Sequence, residues 1–261
     1  MASQITSSGY VLHGSTQLFY ETEGNKKGAR SILFVHGLGG TTNAYQPLVG
    51  ELGDFNIVRF DWSGHGRSSV PSETSIELYV ADCEDITVVG HSLGALISLS
   101  LAAKRPDLVS GVVAFGPVKP PPEAGRVALG TRAATVRQGG MVAITDTVLS
   151  NAFAARSLVS KRAEVALARE MLTRQVPEGY ALAVDALARS TAPAWGEIRA
   201  KVLIVSGGED KVSTVAAGLE IVGEIGSNAQ QLVWKDVGHW HMLENPDASV
   251  EVIKLVAGVK S

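Results

Sequence analysis

Three residue types that together perform nucleophilic catalysis occur in this chain in a suitable order. Ser92 lies in the pentapeptide Gly90-His91-Ser92-Leu93-Gly94, and the acidic pair Glu209-Asp210 and then His239 follow much later. A serine hydroxyl is a weak nucleophile until a base removes its proton, and a histidine base needs a third group to fix its tautomer. The pattern therefore predicts acyl transfer with Ser92 as nucleophile, His239 as base and Asp210 as orienting acid.

The pentapeptide is informative because of what surrounds it. Ile86–Val89 is typical of a strand, and a helix is predicted to begin near Ala95, so Ser92 falls on a sharp strand-to-helix turn. Gly90 and Gly94 remove side chains that would clash with the neighbouring strand and helix. The turn brings the hydroxyl close to a helix N-terminus, which favours developing negative charge.

The acid and the base each have a neighbour that competes for the same role. Glu209 and Asp210 both follow a predicted strand, and we choose Asp210 from the form of the dipeptide and the residues after it. We choose His239 over His241 because His239 directly follows a glycine at a loop tip, whereas His241 is expected to start the next helix. A loop histidine with structural contacts alone is the alternative for His239.

Acyl transfer also requires two N–H donors that converge on the oxygen of the attacked carbonyl. Leu93, the residue after the nucleophile, supplies one backbone N–H. The second is predicted at Leu38, in the loop His36-Gly37-Leu38-Gly39-Gly40 that follows the strand Ser31–Val35. Both assignments depend on position in the chain, because a backbone donor requires no particular side chain.

Short apolar runs alternate with helical patterns over most of the chain. Most of the runs are continuously apolar, which is typical of parallel strands covered on both faces, and the alternation predicts a doubly wound α/β sheet. Gly9–His13 and Thr16–Thr22, with Gly14 and Ser15 between them, predict an N-terminal antiparallel hairpin on the sheet edge. The other predicted strands are Ser31–Val35, Asn56–Phe60, Ile86–Val89, Gly111–Phe115, Lys201–Val205 and Gln231–Trp234.

Residues 117–195 interrupt this alternation. The segment opens with Pro120-Pro121-Pro122, is rich in alanine and contains no strand-like run. We interpret it as a helical cap inserted into a core formed by residues 1–116 and 196–261, although the same helices would also suit a sheet face. The predicted helices are Gly125–Arg137, Met141–Ala154, Ser160–Arg174 and Gly179–Ala188.

A cap over the site would create a pocket, which Met141, Trp195 and Trp240 are predicted to line. Their apolar character favours a small, partly apolar acyl substrate. A substrate with a carboxylate would require a cation as well, although a solvated surface position is the alternative for each arginine of the cap. The candidates for that cation are Arg126, Arg132 and Arg137.

The composition excludes several classes of protein. A net charge of −3 leaves no basic stripe for nucleic acid and no polybasic tract for a membrane surface. The N-terminus lacks the pattern of a secretory signal, no run approaches the ~20 apolar residues of a membrane helix, and Cys83 is the lone cysteine. We therefore expect a cytoplasmic protein that needs no metal or cofactor. The sequence carries no signal for an oligomeric state.

The chain resembles the α/β-hydrolase superfamily from His36-Gly37 through the Ser92 pentapeptide to Gly238-His239. More narrowly it resembles the 3-oxoadipate enol-lactonase and small-esterase branch, on Phe115-Gly116, on the stretch around Gly139-Gly140-Met141 and on Pro177-Glu178-Gly179-Tyr180. The resemblance implies a serine hydrolase acting on a small ester or lactone. One departure is the link before Ile86, where such proteins carry a longer helix than Ser75–Cys83 can provide.

Four other interpretations remain beside this one. Carbon–carbon bond hydrolases and cofactor-free perhydrolases use the same triad, and a non-catalytic receptor can share the scaffold. A dinucleotide-binding oxidoreductase would use Gly37-Leu38-Gly39 after a strand and Asp61 after the next, but the third glycine of its fingerprint would fall on Thr42. That reading also leaves the Ser92 turn without a role.

Overall fold

The computed structural model describes residues 5–13, 16–24, 30–70 and 86–258, and within them eight strands form a single sheet. The strand order across the sheet is β1-β2-β4-β3-β5-β6-β7-β8. The strands are β1 Ile5–His13, β2 Thr16–Gly24, β3 Ser31–Val35, β4 Asn56–Asp61, β5 Ile86–His91, β6 Val109–Phe115, β7 Lys201–Gly207 and β8 Ala229–Trp234.

Strand directions confirm the predicted mostly parallel sheet with an antiparallel hairpin at one edge. β1 pairs with β2 and β2 with β4 in antiparallel fashion, whereas every pair from β4 through β8 is parallel. The carboxyl ends of β3, β5, β6, β7 and β8 therefore meet at one edge, where ligands bind in sheets of this kind. The predicted turn residues Gly14 and Ser15 lie outside the described residues.

The two faces of the sheet bury separate apolar cores. Val88 and Val112 pack into one core, whereas their neighbours Val89 and Val113 pack into the other. This division follows from the strand geometry, because successive side chains point to opposite faces. All six residues of β5 are buried, as expected for a strand at the centre of a sheet that helices cover on both sides.

Helices surround the sheet and fill the segment between β6 and β7. α2 and α8 cover one face, and α1 and α10 cover the other. α3 to α7 occupy the segment for which the sequence predicts helices and no strand. The helices are α1 Gln46–Val49, α2 Leu93–Lys104, α3 Glu123–Gly139, α4 Val142–Ala152, α5 Ala155–Ser160, α6 Arg162–Thr173, α7 Pro177–Arg189, α8 Val215–Ile225, α9 His241–Glu244 and α10 Pro246–Val256.

One helix of the structure is not predicted from the sequence. The sequence predicts one helix over Ser160–Arg174, but the structure has α6 from Arg162 and a separate short helix, α5, before it. Lys161 between them has φ −112° and ψ 56°, which is not helical. A helix of six residues is too short to show a periodic apolar pattern, so the sequence does not signal α5.

The shortened helix expected at Ser75–Cys83 lies outside the described residues. Of the helices that the structure describes, none is both long enough and apolar enough to span a bilayer.

Candidate active site

Ser92 lies between the end of β5 and the start of α2 with an unusual backbone conformation. Its φ is 56° and its ψ is −118°, and it is the only non-glycine residue with positive φ in the described part of the chain. Such conformations cost about 1–3 kcal/mol and persist only where the surrounding structure enforces them. They are concentrated at functional sites, so the conformation of Ser92 indicates a functional position.

Two glycines permit this sharp turn. A Cβ on Gly90 would lie 2.4 Å from Ser98 Oγ and 2.6 Å from Ala95 Cα. A Cβ on Gly94 would lie 2.1 Å from the carbonyl oxygen of Val35. Both separations are far shorter than van der Waals contact, so strand and helix can approach this closely only with glycine on each side of the serine.

His239 and Asp210 form a buried hydrogen-bonded pair. His239 Nδ1 lies 2.8 Å from Asp210 Oδ2, while the backbone N–H groups of Val212 and Ser213 each donate to Oδ1 at 2.8 Å. Burial alone would raise the pKa of the Asp210 carboxyl, but the charge and hydrogen bond of His239 and the Ser213 N–H outweigh it and lower that pKa. Asp210 therefore stays ionised and accepts the Nδ1–H of His239, which leaves Nε2 as the basic nitrogen.

The neighbours that competed for these roles have different contacts. Glu209 accepts a hydrogen bond from the Ala155 N–H at 3.0 Å and so faces the start of α5 instead of the histidine. His241 begins α9, and its Nδ1 lies 2.8 Å from the backbone oxygen of His239. The structure thus brings Asp210, and not Glu209, to His239.

Gly116, directly after β6, lies against the His239–Asp210 pair. It has a positive φ of 49°, and a Cβ there would lie 2.9 Å from His239 Nδ1 and 3.0 Å from Asp210 Oδ2. Any side chain at this position would displace the pair. No role for Gly116 in the site is predicted from the sequence, although a glycine at the carboxyl end of a central parallel strand is an available signal.

The loop after β3 forms a tight turn that presents backbone N–H groups. Gly40 N–H donates to Gly37 O at 3.0 Å, Gly39 has a φ of 78°, and Gly39 N–H donates to His65 Nε2 at 3.1 Å. Within the described residues the N–H of Leu38 donates to no acceptor, and neither does that of Leu93. These are the two donors that the sequence predicts for an oxyanion.

This turn lies directly beside the serine. A Cβ on Gly37 would lie 3.0 Å from Ser92 Cβ and 2.6 Å from His91 Nδ1. The Gly39 N–H requires an unprotonated Nε2 on His65, so this histidine helps to hold the turn. His65 is therefore a positioning residue for this turn.

Two buried histidines fix the backbone of the loop that carries His239. His91 Nε2 and His241 Nδ1 each lie 2.8 Å from the His239 carbonyl oxygen, which accepts a hydrogen bond from both rings. Burial lowers the pKa of His241 to about 4 and that of His91 well below its ordinary value. Both rings are therefore neutral near pH 7 and serve as neutral donors.

We expect the stability of the protein to fall between about pH 7 and pH 5.5, because its buried histidines resist protonation. Unfolded histidines, with a pKa near 6.5, take up protons that the native state does not, so each contributes up to about 1.4 kcal/mol per pH unit. Burial raises the pKa of Asp61 and Glu244, so these carboxyls take up protons more readily in the native state and offset part of this loss of stability. The histidines are His36, His65, His91 and His241, all with a lowered pKa.

Urea unfolding followed by tryptophan fluorescence measures this dependence. His241→Gln should lower the stability near pH 7 but make its decline in acid shallower, because one buried imidazole is gone. A free energy of unfolding that stays constant or increases as the pH falls would contradict the expectation.

The segment between β6 and β7 forms hydrogen bonds with the loops that carry His239 and Gly39. The backbone N–H of His239 donates to the carbonyl oxygen of Ala152 at the end of α4, and Glu244 Oε2 accepts the Ala154 N–H at 2.9 Å. On the other side of the site, Gln175 Nε2 donates to the carbonyl oxygens of Gly39 and Gly40. The inserted helices and the site are therefore one packed unit.

A cavity of about 1300 Å³ lies between α3, α4 and the carboxyl edge of the sheet. Ser92, His239, Leu38 and Trp240 all line it, so the serine and the histidine share one cavity with the turn that carries Leu38. It exceeds the usual range for small-ligand pockets, roughly 300–1,000 Å³. No group of three or more His, Cys, Asp or Glu side chains that could hold a metal ion occurs among the described residues.

Two of the predicted pocket residues do not line this cavity. Met141 is 3% exposed and packs in the core with α3, α4 and α6 at the turn between α3 and α4. Trp195 packs against α2 and α8 in the other core, because the chain has by then returned to the amino edge of the sheet to enter β7. Trp240 does line the cavity.

The three candidate cations of the insertion lie in different surroundings. Arg126 donates to the carbonyl oxygen of Ala188, and Arg137 forms ion pairs with Glu178 and Asp185. Arg132 lines the cavity. No pattern in the sequence distinguishes Arg132 from the other two as the arginine that lines the cavity, since all three lie on one helix.

Comparison with known proteins gives a match over most of the chain. A model of the alpha/beta hydrolase family matches residues 32–252. That span contains every residue of the site described above.

Individual proteins similar to this chain include hydrolases. The (E)-2-((N-methylformamido)methylene)succinate hydrolase of Acinetobacter baylyi is 24% identical over 207 residues, which are 73% of this chain and 76% of that protein. The 3-oxoadipate enol-lactonase 2 of the same organism is 25% identical over 238 residues, 87% of this chain and 88% of that protein. The crystal structure of an enol-lactonase from Burkholderia xenovorans superposes with a TM-score of 0.83 at 26% identity, covering 94% of this chain and 98% of that one.

Proposed function

Because this chain belongs to the alpha/beta hydrolase family, we propose that it is a serine hydrolase that cleaves a small ester or lactone through an acyl-enzyme on Ser92. One observation carries the proposal: a serine in a strained turn shares a cavity with a histidine whose other ring nitrogen is bound to a buried carboxylate. A strained serine alone would be a poor nucleophile, and the base is what makes it reactive.

In the first half of the reaction Ser92 Oγ attacks the carbonyl carbon of the substrate while His239 Nε2 takes the hydroxyl proton. The carbonyl oxygen becomes an oxyanion, which the N–H groups of Leu38 and Leu93 stabilise. The carbon–oxygen bond to the leaving group then breaks, and the imidazolium returns its proton to the leaving oxygen. A lactone yields a ring-opened acyl-enzyme in this step.

In the second half, water replaces the leaving group. His239 takes a proton from the water as its oxygen attacks the acyl carbon, the bond to Ser92 Oγ breaks, and the proton returns to the serine. Asp210 stays a carboxylate and stabilises the imidazolium in both halves. The lowered pKa of Asp210 suits that role, because the carboxyl keeps its negative charge at every pH at which His239 can act as a base.

The similar proteins and the cavity both support a small acyl substrate. Two of the similar proteins are enol-lactonases, and one is a hydrolase of (E)-2-((N-methylformamido)methylene)succinate. The apolar part of the cavity wall includes Leu129, Ile144 and Val148 from α3 and α4, next to Trp240. An apolar wall beside a few polar groups is typical of sites that bind partly apolar molecules.

A fluorophosphonate probe tests the nucleophile directly, because only an activated serine displaces its fluoride. We expect one phosphonyl group per chain, located on Ser92 by peptide mass spectrometry, and none on the urea-unfolded protein. Absence of labelling, together with no turnover of p-nitrophenyl acetate, would favour a non-catalytic receptor on the same scaffold.

A substrate panel then tests the reaction. Lactones and aryl esters should be hydrolysed, whereas vinylogous diketones, which report carbon–carbon bond cleavage, should not. Faster cleavage of the diketones than of any ester or lactone would contradict the proposed substrate class while leaving the nucleophile intact.

A further inference from the structure

One half-buried arginine, Arg132, lines the same cavity as the proposed nucleophile. Arg132 lies at the centre of the face of α3 that lines the cavity, with Ala128 one turn before it and Thr135 one turn after. The two lysines that line the cavity have other surroundings: Lys119 pairs with Glu220, and Lys211 is exposed to solvent. Arg132 is half-buried and so lies inside the wall.

Arg132 has no acidic partner in the part of the chain that the structure describes. Its Nη2 donates to the hydroxyl of Tyr180, and its Nε is buried and has no hydrogen-bond acceptor. Arg137, five residues later on the same helix, is by contrast paired with Glu178 and Asp185. A partly buried guanidinium without a counter-ion is unfavourable, and an anion from outside the chain would compensate it.

Tyr180 holds this guanidinium near the reacting end of the cavity. The tyrosine is fully buried, and the centre of its ring lies 5.4 Å from Arg132 Cζ. The same ring packs against the turn after β3, since a Cβ on Gly39 would lie 3.2 Å from Tyr180 Cε2. Arg132 is therefore one aromatic ring away from the turn that carries the Leu38 N–H.

We propose that Arg132 binds a carboxylate of the substrate and so selects esters or lactones that carry a second, ionised carboxyl group. This inference rests on the hydrolase function proposed above. A planar guanidinium matches a carboxylate with two parallel N–H donors, and such charge-assisted bonds are stronger than neutral ones. Because the cation lies close to the oxyanion turn, the carboxylate is separated from the reacting carbonyl by a short chain, as in half-esters of small dicarboxylic acids.

Matched pairs of substrates test the preference. The monomethyl esters of succinate, glutarate and adipate are each compared with the ester in which a carboxamide replaces the free carboxylate, and hydrolysis is followed in a pH-stat. For the best chain length we expect kcat/KM of the wild-type protein to favour the carboxylate member by about 10- to 100-fold. A wild-type protein that hydrolyses both members equally would overturn the inference but leave the hydrolase proposal intact.

Variants then assign the preference to Arg132. Arg132→Gln should abolish the carboxylate-to-carboxamide ratio, and Arg132→Lys should keep part of it because the charge remains. Arg137→Gln is the matched control, since it removes a cation from the same helix outside the cavity and should leave the ratio unchanged. If Arg132→Gln lowers both rates equally and keeps the ratio, the residue is structural and the inference is wrong.

A binding measurement separates this inference from the reaction itself. In a Ser92→Ala background, glutarate binding by calorimetry should be detectable with Arg132 present and weakened about 10- to 100-fold by Arg132→Gln. This readout needs no turnover, so it survives even if the proposed reaction is wrong. Equal glutarate binding with and without the guanidinium would overturn the inference.

Discussion

Replacing Ser92 by alanine is expected to reduce kcat/KM for the best ester or lactone by about 10⁴-fold or more. The substitution removes the oxygen that forms the acyl-enzyme, so the His239 base has no nucleophile to activate. The oxyanion donors and the cavity remain, which leaves a residual rate above that of the uncatalysed reaction. Initial rates at substrate concentrations well below KM measure this loss.

Ser100→Ala is the matched control for this variant. Ser100 is also a buried serine and lies in the second half of α2, but its hydroxyl donates to the Leu96 carbonyl oxygen and does not line the cavity. The Ser100 variant should retain most of the activity.

The Ser92→Ala variant should also remain folded. Alanine at position 92 is under the same backbone strain as serine, so the thermal unfolding temperature of this variant should stay close to that of the wild type. Substantial ester hydrolysis by a folded Ser92→Ala protein would exclude Ser92 as the nucleophile.

The second large effect is expected for Asp210→Asn, at roughly 10⁴-fold in kcat. The two backbone N–H groups of Val212 and Ser213 bind Oδ1, so they also orient the asparagine with its oxygen toward them. Its NH₂ group then faces His239 Nδ1 and donates to it. The imidazole must take the opposite tautomer, with its proton on Nε2, and it no longer accepts the proton of Ser92.

Glu209→Gln provides the matched control, one residue away. Glu209 accepts a hydrogen bond from the Ala155 N–H, and a glutamine oxygen accepts the same bond. This variant should keep most of the activity. If Glu209→Gln were as damaging as Asp210→Asn, or if Asp210→Asn were active, the assignment of the acid would be wrong.

The double variant Ser92→Ala/Asp210→Asn should be little less active than Ser92→Ala alone, because the effects of substituting residues that act as a unit are not additive.

Local chemistry determined much of the sheet and of the predicted site. Continuous apolar runs specify parallel strands covered on both faces, and a serine between two glycines after such a run specifies the strained turn. The positions of the acid and the base follow from the sheet in the same way, because a residue that follows a parallel strand must lie at the carboxyl edge of the sheet. Leu38 and Leu93 were predicted from chain position alone, since a backbone donor depends on the path of the chain.

The contacts of the inserted helices were decided by tertiary structure. Met141 and Trp195 are as apolar as Trp240, yet both belong to the cores and only Trp240 lines the cavity. The apolar character of a side chain predicts that it is buried, but it does not predict against which surface the side chain packs. The short helix α5, the contact of Gly116 with the histidine–aspartate pair, and the orientation of Arg132 toward the cavity have the same origin. Each depends on how elements far apart in the chain pack together, and that packing is not encoded in any local pattern of residues.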